Sequence, residues 1–173
     1  MNKLLLVICT ITLIACQEKS NDFVIFSGQI TDKNSDSIVV RNNDYSKTIR
    51  VNEDGSFSDT LNIKGGIYNF YDGGESTNIF LKNGYDIRMT LDTKMFDETA
   101  TYTGLGAENS NFLAKKSLLE EKLMDKDFEN LDEKALDDTF AEIKTELIEF
   151  ISSNKELDTM VTNYSLNNLD RII

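Results

Sequence analysis

The sequence predicts an α+β protein: an antiparallel β-sandwich of seven or eight strands followed by two or three α-helices. Three observations carry this expectation. Apolar residues alternate with polar ones between residues 23 and 103. Turn residues punctuate that stretch about every eight to twelve positions, as in sandwiches and barrels. Beyond residue 104 the apolar spacing changes to that of a helix.

The strands follow in order. Phe23-Val24-Ile25-Phe26 runs into Ser27-Gly28-Gln29-Ile30 and reads as a strand buried on both faces at one end. Ile38-Val39-Val40 follows a polar loop, and Ile49 and Val51 alternate with Thr48 and Arg50. Asp54-Gly55 is a hairpin signal, because both residues tolerate the positive φ of a tight turn. Phe57, Leu61 and Ile63 alternate with polar neighbours. Gly65-Gly66 turns the chain into Ile67-Tyr68-Asn69-Phe70-Tyr71, and Asp72-Gly73-Gly74 turns it again before Ile79-Phe80-Leu81. Asn83-Gly84 is the strongest short hairpin signal, and Tyr85, Ile87, Met89 and Leu91 alternate after it.

The helical half, residues 104–173, opens at Gly104-Leu105-Gly106. Phe112, Leu119 and Leu123 share a face of a first helix. Asn130 and Glu133 have capping-box spacing before a second, whose stripe is Leu136, Phe140, Ile143, Leu147 and Phe150. That stripe is too short for a coiled coil and is expected to pack on the first helix or the sheet. Leu157, Met160, Val161 and Tyr164 suggest a third helix. No internal repeat or low-complexity segment is present.

Composition narrows the chemistry. The chain has 173 residues, no His, no Pro, no Trp and two Cys, with a net charge of −12. Without His there is no imidazole triad, metal ligand or proton relay. The acidic excess argues against a phosphate-tracking nucleic-acid surface and favours cationic partners. Apolar residues at 40% and charged residues at 28% match a soluble globular average.

The N-terminus carries the most specific local pattern. Lys3 precedes the largely apolar residues 4–14, a stretch of secretory length and too short to span a bilayer. Leu13-Ile14-Ala15-Cys16 resembles a bacterial lipobox: the small Ala15 suits cleavage, and the Cys16 thiol takes the diacylglycerol. Residues 1–15 are therefore expected to be a lipoprotein signal peptide. Residues 16–22 are the lipidated Cys and a polar tether, 23–103 the antiparallel β domain and 104–173 the helical region. Cys9 leaves with the signal and Cys16 is acylated, so the mature chain keeps no free thiol. The expected address is the cell envelope. The domain stands in the periplasm or at the cell surface, and Gln17 after the Cys favours the outer membrane.

Other local patterns each have a bland rival. Asp32, Asn34 and Asp36 stand at calcium-loop spacing, but Ser37 replaces the loop's Gly and Asn43 its closing Glu, so a polar turn is expected. Asp125, Asp127, Glu129, Asp132 and Glu133 read as a solvated set at a helix start. Tyr68, Phe70 and Tyr71 are expected in the core rather than on a glycan platform. Asn163-Tyr164-Ser165 matches the glycosylation pattern, which means little in a bacterial lipoprotein. Gly104-Leu105-Gly106 lacks the remainder of a phosphate loop. No catalytic residue, metal site or cofactor is expected, and carboxylate-based catalysis has no visible pair.

Several pieces in order resemble one family. They are the lipobox, the opening strand Phe26-Ser27-Gly28-Gln29-Ile30, the hairpin Val51-Asn52-Glu53-Asp54-Gly55-Ser56-Phe57, and Gly66-Ile67-Tyr68. Next come Phe80-Leu81-Lys82-Asn83-Gly84-Tyr85-Asp86-Ile87 and the passage Tyr102-Thr103-Gly104-Leu105-Gly106-Ala107-Glu108-Asn109. Together they resemble the N-terminal domain that precedes the thioredoxin-like domain of membrane-anchored thiol-disulfide oxidoreductases of the AhpC/TSA and TlpA-like type. The resemblance implies a non-catalytic accessory module whose partner is a thioredoxin-like domain or a protein client. The chain reaches Ile173 with no Cys-x-x-Cys, so no catalytic residue carries over. A truncated oxidoreductase and a stand-alone module both remain open, and the helix-like spacing up to Ile173 favours truncation. The alternative function is an envelope lipoprotein that binds a glycan, peptide or partner protein.

Overall fold

The computed structural model describes residues 22–171, which form eight strands in two sheets together with four α-helices. The strands are β1 (Val24–Thr31), β2 (Ser37–Arg41), β3 (Ser46–Arg50), β4 (Ser56–Leu61), β5 (Gly66–Tyr71), β6 (Ser76–Leu81), β7 (Asp86–Asp92) and β8 (Thr101–Leu105). The helices are the single turn α1 (Phe96–Thr99), then α2 (Ala107–Met124), α3 (Glu133–Ser153) and α4 (Thr159–Asn167). The first sheet has the order β4-β1-β7-β8 and the second β3-β2-β5-β6, so neither closes into a barrel.

Alternation along the strands builds the core. Val24, Phe26 and Ile30 of β1 meet Ile87, Met89 and Leu91 of β7 and Phe57 and Leu61 of β4. Ile38, Val40, Phe70, Ile79 and Leu81 of the second sheet complete the same cluster. A second cluster lies between the other face of the second sheet and the helices. Ile67 and Phe80 pack there with Phe112, Leu113, Ile143, Leu147 and Val161. Phe112 stacks on Phe150 with centroids 5.3 Å apart, so the α3 stripe packs on α2 as expected.

Four expectations need correction. The sheet is not wholly antiparallel: β1 and β7 pair in parallel, with Phe26 opposite Ile87 and Gly28 opposite Met89. The chain reaches β7 after crossing to the second sheet and back, and such a detour is what a parallel neighbour requires. β1 is buried on one face only, with Ile25 half-exposed between Val24 and Phe26. The cap of α3 is Asp132, which accepts from the Ala135 N–H at 2.8 Å, while Asn130 instead donates to Asp127.

The fourth correction concerns the two hairpin signals. Asp54-Gly55 joins β3 to β4 and Asn83-Gly84 joins β6 to β7, yet each pair of strands belongs to different sheets. The dipeptides set the local turn, with φ of 82° at Gly55 and 90° at Gly84. What the flanking side chains bury then decides the sheet. Both turns dock on β1: Ile30 donates its N–H to the Gly55 carbonyl at 2.9 Å, and Gly84 donates to the Phe23 carbonyl at 2.9 Å. A Cβ at Gly55 would stand 1.9 Å from the Ile30 oxygen, so this docking excludes every other residue there.

On one side the two sheets are linked by Lys47 of β3, which pairs with Asp59 of β4 at 2.7 Å. On the other side α2 spans the edges β6 and β8. Ser110 Oγ accepts the Phe80 N–H at 3.1 Å and donates to the Phe80 carbonyl at 3.3 Å. Asn111 Oδ1 accepts the Tyr102 N–H at 2.9 Å, and its Nδ2 donates to the Tyr102 carbonyl at 2.7 Å. Two consecutive side chains thus bond the backbone of one residue in each edge strand. Ser110→Ala leaves the Phe80 groups unpaired in a buried place, a loss of about 1–3 kcal/mol. Urea denaturation should show that loss, whereas Ser152→Ala on the exposed face of α3 should stay within about 0.5 kcal/mol of wild type.

Candidate functional site

A polar cleft lies where α2 and α4 roof the outer face of the second sheet. Its volume is about 280 Å³. The floor comes from β5 and β6, whose register sets Asn69 opposite Asn78. One wall is α2, with Leu113, Lys116, Ser117 and Glu120, and the other holds Tyr164, Asn168 and Arg171.

Helical spacing puts Lys116 and Glu120 one turn apart, where they form an ion pair. The Lys116 side chain is only 7% exposed and that of Glu120 21%, so the pair is largely out of water. Asn78 Nδ2 donates to the Tyr164 hydroxyl at 3.0 Å, tying the floor to α4. Burial raises the Tyr164 phenol above its ordinary pKa; Glu120 adds to that and Arg171 opposes it. Tyr164 is therefore neutral at physiological pH and can donate or accept a hydrogen bond.

Asp158 fixes α4 in this position. It caps the helix by accepting the Met160 N–H at 2.9 Å and pairs with Lys82 Nζ at 2.9 Å. Its own N–H donates to Asn109 Oδ1 of α2 at 2.8 Å. Asn109, Ser110 and Asn111 thus bind α4, β6 and β8 in turn.

The residues singled out in the sequence fall as follows. Ala15 and Cys16, with the signal peptide and the tether through residue 21, lie outside the described residues. Asp32, Asn34 and Asp36 do not converge: Asp32 pairs with Lys94, Asn34 donates to Asp72, and Asp36 pairs with Lys33. Among the described residues no three Asp or Glu side chains gather around one point as a metal site would need. Tyr68 and Phe70 are buried in the core, as expected, whereas Tyr71 lies on the opposite face with the Arg41 guanidinium 5.6 Å from its ring centre. Asp125, Asp127 and Glu129 stand in the connection between α2 and α3, and Asp132 caps α3. Burial raises the Tyr102 phenol strongly, so it is no base at neutral pH. Among the described residues no helix is long and apolar enough to cross a membrane.

The sequence reading did not find Asn69, Asn78, Lys116 or Arg171. Helical spacing alone does not mark Lys116 as buried, yet its side chain is only 7% exposed. The one legible hint was Tyr164, placed on an apolar face but carrying a hydroxyl.

The Asp158 linkage fixes a pH dependence. Lys82 beside it and the Met160 N–H hold its carboxyl below the usual range. A lowered carboxyl stabilises the fold above its unfolded pKa of about 3.9, and that stabilisation is lost as pH falls through the folded value. Asp158→Asn keeps the cap but loses the ion pair. Its melting temperature should be below wild type at pH 7, and the gap should close between about pH 5 and pH 2. Comparison of the chain with protein-family models, curated proteins and solved structures finds no match.

Proposed function

We propose that the chain is a cell-envelope lipoprotein anchored through Cys16, with its domain in the periplasm or at the cell surface. Its two sheets form a β-sandwich. The folded part acts as a non-catalytic accessory module of a thioredoxin-like thiol-disulfide oxidoreductase system, and it positions a partner domain or recognises protein clients.

One observation supports this most. Several of the residues that carry the family resemblance hold elements together. Gly55 and Gly84 dock turns on β1, Tyr102 is bound by Asn111, and Asn109 holds the start of α4. Gly106, with φ of 90°, lets the Tyr85 ring approach so closely that a Cβ would lie 2.2 Å from it. None of these residues lines the polar cleft. Signature residues that build a scaffold suit a module whose chemistry is supplied elsewhere. The absence of His and the loss of both Cys to processing and acylation agree with that. The net charge of −12 favours cationic clients.

A second reading, a stand-alone lipoprotein that binds a glycan, peptide or partner protein, draws its support from the polar cleft.

Two measurements test the first reading. Cells fed radioactive palmitate should label the wild-type chain and not Cys16→Ala; equal labelling would remove the anchor. The purified lipidated chain in detergent should leave the rate of insulin reduction by dithiothreitol unchanged. Accelerated insulin precipitation would contradict a non-catalytic module.

A further inference from the structure

We propose that the cleft between the second sheet and helices α2 and α4 binds the terminal carboxylate of a short peptide, with Arg171 and Lys116 holding the anion. The assignment goes beyond the accessory reading and does not require a thioredoxin-like neighbour.

Charge is the first argument. Among the described residues this cleft is lined by two cations, Lys116 and Arg171, and one anion, Glu120, an excess of one positive charge in a chain of net charge −12. Screening at physiological salt weakens the field of carboxylates beyond about 8–10 Å, so the charges on the cleft walls act most strongly on a small ligand. That excess matches a monoanion. A phosphate dianion would meet the Glu120 carboxylate without full compensation.

Lys116 is the second argument. A Lys–Glu pair removed from water is often no more stabilising than an apolar pair of the same volume. Fold stability therefore does not explain a Lys side chain that is 7% exposed at a cleft wall. An ammonium has three donors, and the single Glu120 oxygen that it meets leaves donor capacity for a ligand. Arg171 adds a planar fork suited to two parallel bonds with a carboxylate, and among the described residues no carboxylate forms an ion pair with it.

The floor is the third argument. Asn69 and Asn78 sit side by side across β5 and β6, and each amide carries both donor and acceptor atoms. They offer a peptide group what Arg171 and Lys116 offer its terminus. At about 280 Å³ the cleft lies at the small end of ligand pockets, which suits a chain end of one or two residues.

The test uses the full-length chain, nitrogen-15 labelled and held in mild detergent, titrated with N-acetyl-glycylglycine, with its C-terminal amide and with inorganic phosphate. The acid should shift the amide resonances of Asn69, Asn78 and Ser117 saturably. The amide derivative should bind at least about tenfold more weakly, the scale of a charge-assisted hydrogen bond. Phosphate should be weaker than the acid. Arg171→Gln, an exposed change that leaves the core intact, should weaken the acid about fivefold or more, and Lys116→Gln should do the same. No saturable shift at these residues, equal binding of acid and amide, phosphate binding as tight as the acid, or an unchanged Arg171→Gln would each overturn the assignment.

Discussion

Three consecutive polar side chains in the first turns of α2 hold this molecule together. Two open sheets leave edge strands whose N–H and C=O groups need partners. On the helical side those edges are β6 and β8, and Ser110 and Asn111 supply both partners from one helix. Asn109, one residue earlier, accepts the N–H of Asp158 and so sets where α4 starts. Leaving a buried backbone group unpaired costs about 1–3 kcal/mol, a large fraction of the stability of a domain this size.

The polar cleft follows from the same clamp. Because α2 is pinned to β6 at Ser110, the helix lies over the outer face of the second sheet. Lys116 and Glu120, lying further along α2, then line the wall above Asn69 and Asn78. Asn109 and Lys82 position α4 through Asp158, which brings Tyr164 and Asn168 to the opposite wall. This arrangement leaves a small polar recess beneath α2 and α4.

Much of the architecture was legible because it depends on local periodicity. Strand alternation reports which face is buried, and the stripe from Leu136 to Phe150 reports how α3 packs, whatever the topology. Pairing was less legible. Asp54-Gly55 and Asn83-Gly84 specify turn geometry, but whether the next strand returns beside its predecessor depends on distant partners, here the two ends of β1. The parallel contact of β1 with β7 was hidden for the same reason. The clamp itself was invisible as a clamp. Asn109-Ser110-Asn111 reads like the solvated start of a helix, and only the arrival of two earlier strands and of the later α4 turns those side chains into partners. Lys116 misled in the same way, since nothing in a helical repeat marks that position as buried.

Native-state hydrogen exchange of the Phe80 and Tyr102 amides in the full-length chain tests the clamp most directly. Their N–H groups point out of their sheets and meet only α2 side chains, so a functioning clamp makes them exchange as slowly as the central-strand amide of Phe26, by global unfolding. Exchange of either amide at the fast rate of an open sheet edge, with Phe26 still protected, would contradict the claim that α2 closes the two sheets.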